Sequence, residues 1–246
     1  MESLLQEITR CPHVQFCIEN SSVWHPCREI VFSQSFSTLG EYQVPEPWSG
    51  NIEQAPILFL SSNPSISDIE DYPRWFWSDE NIDDYFNNRF GGGRKVWTVN
   101  GRKTLQIDGT YSRSIHFWRE IRQRACELLD RDAISGVDYA ITEIVHCKSR
   151  NEVGVKQAQK QCVPSYLRRV LQIASARVIV VLGVRAKQAI KSEFNIPPSV
   201  SLWRLTTTDD RERSIAFLPH PSARSVRSFA KCFSSDEVEY IRAFLR

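Results

Sequence analysis

No apolar run in the 246 residues approaches the length of a membrane span, and Met1 to Arg10, which includes Glu2 and Glu7, lacks the basic-then-apolar order of a signal peptide. An intracellular, cytoplasmic protein with no membrane partner is therefore expected. A large excess of either charge is missing too. Thirty-one basic against 29 acidic residues give a formal charge of +2, a total that neither demands nor excludes a polyanionic partner. Nothing in the middle of the chain reads as a flexible linker and there are no internal repeats, so one domain over residues 1–246 is expected; a monomer is the expectation for its assembly. No glycine-rich phosphate cradle follows a strand, which weakens a nucleotide- or nucleoside-processing enzyme. What remains, 41% hydrophobic with 24% charged residues, is enough to build a sizeable core.

Four short segments rich in β-branched and apolar residues read as buried strands: Ile57 to Leu60, Tyr139 to Val145, Val178 to Leu182 and Ile215 to Leu218. Helical patterns lie between and after them, at Ser114 to Asp130, Gln157 to Ala174, Ala186 to Phe194 and Asp236 to Leu245, the last preceded by Ser234 and Ser235 as plausible caps. Alternation of this kind predicts a three-layer α/β/α sandwich around a mostly parallel four-stranded sheet. Sites of such sheets lie at the carboxyl ends of the strands. That puts Ser61 to Ser65, Cys147 to Asn151, Gly183 and Pro219 to Arg224 on one rim. The long stretch over residues 66–108 reads as a surface excursion, with a hairpin at Val96 to Lys103 turning on Asn100-Gly101. Two stretches without acidic residues, Asn87 to Ile107 and Ser214 to Ser235, suggest basic patches unless they are simply solvated faces.

Two of the rim segments carry polar groups on stiff turns. Ile57-Leu-Phe-Leu-Ser-Ser-Asn-Pro-Ser65 runs a strand into an Asn63-Pro64 turn, and Leu218-Pro-His-Pro-Ser-Ala-Arg224 sets an imidazole between prolines. Either alone is an ordinary loop. In this order, each after an apolar strand, they resemble the two signature motifs of the uracil-DNA glycosylase superfamily. In that superfamily the first reads Gly-x-Asn-Pro-Gly in the mismatch-specific branch and Gly-Glu-Ala-Pro-Gly in the iron-sulfur branch, and the second reads His-Pro-Ser or His-Pro-Ala. Here Ser61 and Ser65 replace the glycines. Tyr139 to Asn151, Cys162 to Leu167 and Val178 to Ala186 resemble further segments of the iron-sulfur branch, so the likeness runs from about Ala55 to Arg227.

The resemblance implies a DNA glycosylase that flips a nucleotide out of the duplex and hydrolyses its N-glycosidic bond. Breaking the C1′–N1 bond leaves negative charge on the base, so a donor aimed at a base carbonyl stabilises the transition state; His220 is expected in that role. Asn63 is expected to hold the attacking water, since an amide cannot serve as a base. Tyr111 and Ser62 are expected to contact the base, Tyr111 as a stacking platform unless it merely packs the start of the following helix. Arg224 and Val226 are candidates to fill the gap in the duplex, with Ser222, Arg227, Lys231, Arg94 and Lys95 along the DNA.

Seven cysteines in a reducing compartment argue against a disulfide framework. Cys147 and Cys162 stand where the resembled branch has two of four ligands to a 4Fe–4S cluster. The other two would come from Cys11, Cys17 and Cys27, with Cys11 and Cys17 favoured and Cys27 competing. Zinc is the alternative, or no metal at all; Cys126 and Cys232 read as inert thiols.

Glu143 sits where many members of the superfamily carry the Asn that reads the edge of uracil. An ionised carboxylate only accepts hydrogen bonds, which disfavours uracil O4 and suits the cytosine amino group; a protonated one also donates to cytosine N3. The resulting expectation is a modified cytosine, such as hydroxymethylated or glucosylated phage cytosine in an anti-phage defence role, with Trp75, Phe76 and Trp77 enclosing the 5-substituent. Uracil excision in base-excision repair, and a non-catalytic DNA-binding or damage-sensing module, stay open as alternatives.

Overall fold

The computed structural model describes residues 3–206, 211–224 and 228–246. Its centre is a five-stranded sheet in the order β4-β1-β5-β7-β6, from β1 (Ile57–Ser61), β4 (Tyr139–Glu143), β5 (Val178–Leu182), β6 (Leu202–Thr206) and β7 (Glu212–Leu218). Three of the four pairings are parallel in the sense expected of crossover units, and β6 alone runs antiparallel, against β7. β6 is the strand the sequence reading missed. It is an edge strand with Trp203 and Leu205 separated by exposed Arg204, so it lacks the continuous apolar run that marks the buried strands.

Alternate residues of β1 serve two cores. Leu58 and Leu60 face one, with the N-terminal helices α1 (Leu4–Thr9), α2 (Pro12–Glu19) and α3 (Arg28–Val31), α4 (Asp79–Asn87), α6 (Val155–Cys162), α7 (Arg168–Ile173) and α8 (Val184–Glu193). Ile57 and Phe59 face the other, with α5 (His116–Leu129), α9 (Phe229–Cys232) and α10 (Ser235–Ala243). The three expected layers are therefore present. The helix expected from Gln157 to Ala174 is α6 and α7 joined through a π-helical turn at Val163–Leu167, where Pro164 cannot donate to the helical ladder. Ser234, of the two candidate caps, is the one that caps α10, closing a reciprocal box with Glu237.

The excursion includes α4 and the ribbon β2 (Thr98–Val99) and β3 (Lys103–Thr104), which turns on Asn100 and Gly101, both with φ near +55° as a primed hairpin turn requires. It does not stay on the surface. Tyr72, Tyr85, Phe86 and Arg89 are buried, and this part of the chain closes over the carboxyl ends of β1 and β4.

Candidate active site

The carboxyl ends of β1, β4 and β7 form one side of a cavity of about 420 Å³, and the excursion with the start of α5 forms the other. Asn63 and His220, arriving from separate strand tips, both line it, together with Ser61, Ser222 and Glu143. The two motifs thus converge as expected.

His220 is held by its own loop. The Ser222 backbone N–H donates to its Nδ1 at 3.1 Å, so the neutral ring carries its proton on Nε2. Burial lowers the pKa of the imidazole, against an opposing pull from Glu152, so the neutral form is the one present at neutral pH. Phe117 stacks on the ring at 5.5 Å between centroids. Behind it lies Gly183 at φ +86°, where a Cβ would stand 3.2 Å from that of His220; glycine supplies both the backbone angle and the room. Asn63 is fixed by its Nδ2, which donates to the Pro64 carbonyl at 3.0 Å. Its Oδ1 lies 3.2 Å from the Ser62 hydroxyl.

The floor is a buried ionic network that sequence reasoning did not find. Arg89, 3% exposed, bonds Glu46 at 2.8 Å and Glu70 at 2.6 Å. Lys148 stands 3.5 Å from Glu70 and over the face of Tyr72, and the Tyr85 hydroxyl donates to Glu70. Burial alone would raise the pKa of Glu70, but Lys148 and Arg89 hold it down to about 2. Glu143 fares differently. Burial, reinforced by Glu46, pushes its carboxyl well above the usual range despite Arg89 and Lys148, and Ser61 donates to it. Its Oε2 has no partner among the described residues. With Glu143 neutral, two carboxylates (Glu46, Glu70) balance two cations (Arg89, Lys148), which is the arrangement a dry site tolerates.

Several expected residues fall elsewhere. Tyr111 is 39% exposed, donates its hydroxyl to the Val96 carbonyl, and does not line the cavity; the aromatic residues that do are Phe117 and Trp118. Trp75 and Trp77 do not enclose it either. Their carbonyls accept from Arg10 of the N-terminal region, and Phe76 and Trp77 line a separate surface depression with Arg94 and Lys95. Arg94 pairs there with Glu80, and Lys95 with Asp71, so these two cations of the first acid-free stretch have acidic partners. Arg224 and Lys231 are exposed; Val226 and Arg227 lie outside the described residues.

On the other side of β4, five buried thiols gather: Cys11, Cys17, Cys27, Cys147 and Cys162. Cys11, Cys27, Cys147 and Cys162 are each in electrostatic contact with the other three, and the Cys27 thiol hydrogen-bonds Cys162. Cys17 reaches Cys11 and Cys147 and lies 3.5 Å from His25 Nδ1. The mutual set therefore includes Cys27 where the sequence favoured Cys17. Cys126 and Cys232 belong to the opposite core. Among the described residues no group of three or more His, Cys, Asp or Glu is arranged to hold a single metal ion, and no helix is long and apolar enough to cross a membrane.

A family model described as the uracil DNA glycosylase superfamily matches residues 47–245. No curated protein matches the chain significantly.

Proposed function

The chain belongs to the uracil-DNA glycosylase superfamily, whose members are DNA glycosylases, and we propose that it is a monofunctional glycosylase acting on a flipped cytosine with a polar 5-substituent. The observation that carries the reading is the cavity in which Asn63, His220 and Glu143 meet. Its 420 Å³ amount to roughly fourteen water volumes of ~30 Å³, more than the non-hydrogen atoms of a bare pyrimidine base. Its walls carry the hydroxyls of Ser65, Ser67, Thr104, Ser112 and Ser222, groups that solvate a polar substituent and gain nothing from a methyl.

In this reading the base leaves with the bonding electrons of C1′–N1. His220 Nε2–H donates to a base carbonyl as charge builds there, a contribution of about 3 kcal/mol for comparable oxyanion donors. Asn63 orients water toward C1′, and Phe117, standing where the cavity and the imidazole meet, takes the stacking role expected of Tyr111. Glu143, as a neutral acid, offers one donor and one acceptor: it accepts from the cytosine amino group and donates to N3. The same neutral acid, with its proton on the other oxygen, pairs with uracil, and this observation keeps uracil excision as the second reading.

Base release from duplexes with cytosine, hydroxymethylcytosine, glucosylated hydroxymethylcytosine or uracil at one position tests the proposal. Release of a modified cytosine in preference to uracil is expected, with Glu143→Asn moving the preference toward uracil. Release of uracil alone overturns the cytosine reading, and no abasic sites from any duplex overturns the enzymatic one.

The cysteine group fits a thiolate-bound cofactor, and we assign it to a 4Fe–4S cluster held by Cys11, Cys27, Cys147 and Cys162. Four buried thiols suit iron-sulfur chemistry, and zinc is the alternative. When bound, the cluster supplies a covalent tie between the N-terminal helices and the β4 and α6 segments. Brown protein that loses its iron on Cys27→Ala and keeps it on Cys17→Ala is the expected outcome; colourless, iron-free protein after anaerobic purification rejects the assignment.

A further inference from the structure

Behind His220, on the side away from the base cavity, lies a second cavity of about 230 Å³ lined by Ser62, Glu152, Gly183, Arg185 and His220 among others. Glu152 is the carboxylate in it, and nothing in the reaction so far uses it. Its Oε1 lies 3.0 Å from the Ser62 hydroxyl, and its Oε2 accepts from Arg185 at 3.0 Å. The Ser62 oxygen also lies 3.2 Å from Asn63 Oδ1. A hydroxyl has one hydrogen to give, so these two acceptors compete for it.

We propose that Glu152 is a positioning residue for the hydrolytic water: it takes the Ser62 hydroxyl hydrogen and thereby leaves Asn63 Oδ1 free to hold the nucleophile. The inference rests on the glycosylase reading above and extends it. Glu152 wins the competition because it is nearer and charged, and charge-assisted hydrogen bonds are about twice as strong as neutral ones. Arg185 keeps it charged. Although burial works against ionisation, the bonds from Arg185 and Ser62 bring the Glu152 pKa below its ordinary value. Nδ2 of Asn63 donates one of its hydrogens to the Pro64 carbonyl, and Oδ1 is the one acceptor the amide offers to a water hydrogen.

The backbone supports a built position. Asn151 and Glu152 both adopt left-handed φ values, +51° and +58°, a region unfavourable for residues with a side chain. The turn that follows is pinned by Gly154, where a Cβ would stand 2.3 Å from the Ile30 nitrogen of α3. Two strained residues in succession, braced against a helix, aim this carboxylate at a hydroxyl 90 residues earlier in the chain. Arg185 alone would need no such placement, since a half-exposed ion pair forms from many backbone positions.

The test is a double-mutant cycle on the best duplex substrate, reading single-turnover base release at saturating enzyme and, separately, DNA affinity. Loss of a charge-assisted hydrogen bond predicts that Glu152→Ala slows release about tenfold with affinity unchanged, because the Ser62 hydroxyl then turns onto Asn63 Oδ1. Ser62→Ala sets the baseline of the cycle, and Glu152→Ala in that background should add no further loss, since no hydroxyl is left to compete. Glu152→Gln, which keeps the shape and an acceptor, should fall between and guards against a folding defect in the alanine variant. Equal losses from Glu152→Ala with and without Ser62, or a loss confined to DNA affinity, overturn the role of Glu152 alone. Failure of the wild-type protein to release any base overturns the glycosylase reading and this role together.

Discussion

The strand-tip wall of the cavity holds its functional side chains through main-chain groups, whereas the excursion wall holds its own through other side chains. Asn63 leans on the Pro64 carbonyl and His220 on the Ser222 N–H, each within two residues along the chain. Arg89, by contrast, is held by Glu46 and Glu70, and Glu70 in turn by Lys148 and Tyr85. A side chain fixed by its own loop can be removed without disturbing its neighbours. One fixed in a buried ionic network cannot, because each partner left behind is an uncompensated charge.

Arg89→Met is the most severe way to break the second arrangement. It strands Glu46 and Glu70 in the core, and a loss of about 3–5 kcal/mol in unfolding free energy is expected by denaturant titration. Wild-type stability should also fall as pH drops from the ordinary carboxylate value toward 2: the folded pKa of Glu70 is depressed, so its contribution is present above the unfolded pKa of 4.5 and is lost as pH falls through about 2. A stable Arg89→Met protein would mean that the network is not structural.

His220→Ala tests the first arrangement. Release should slow about 10²- to 10³-fold in single-turnover assays, the usual effect of deleting an oxyanion donor, with melting temperature little changed. A comparable loss of stability would erase the distinction between the walls.

A smaller effect separates Phe117 from Tyr111. Phe117→Ala removes the ring stacked on His220 and should weaken substrate binding by about 1–3 kcal/mol, the range for base–aromatic stacking. Tyr111→Phe should leave release unchanged and stability within about 0.5 kcal/mol, as for other exposed substitutions.

The mildest test concerns the protonation of Glu143, where the two walls meet. Its folded pKa is raised, so the neutral form, and the stability that goes with it, is fully present below the unfolded value of 4.5 and is lost as pH rises through the folded value. Release should therefore fall on the alkaline side in the wild type. Glu143→Gln, which cannot ionise, should flatten that limb of the profile; an unchanged limb would assign it to another group.

Periodicity and local turn chemistry made much of this legible. Buried strands with unbroken apolar runs, Asn-Pro and His-Pro turns after two of them, and an Asn-Gly hairpin are signals carried by neighbouring residues. β6 escaped because an edge strand alternates, and that Tyr111 lies outside the cavity was not legible because its distance along the chain from the Phe117-Trp118 pair says nothing of which way its hydroxyl turns. Cys27 was passed over for Cys17 on spacing alone, although α2 and α3 bring Cys27 against Cys162.

By itself, then, the sequence determined the buried strands of a mostly parallel sheet and the rim on which Asn63 and His220 sit, since apolar runs and turn residues are signals carried by near neighbours. Only the tertiary structure decided that Glu46, Glu70, Arg89 and Lys148 line the cavity and that Glu152 lines the pocket shared with His220. A charged residue read in sequence looks like solvent-facing surface, and its burial depends on partners far away: Arg89 meets its two 43 and 19 residues back along the chain. The protonation of Glu143 belongs to the same class, because a pKa is set by everything packed around the carboxyl and by the water excluded from it.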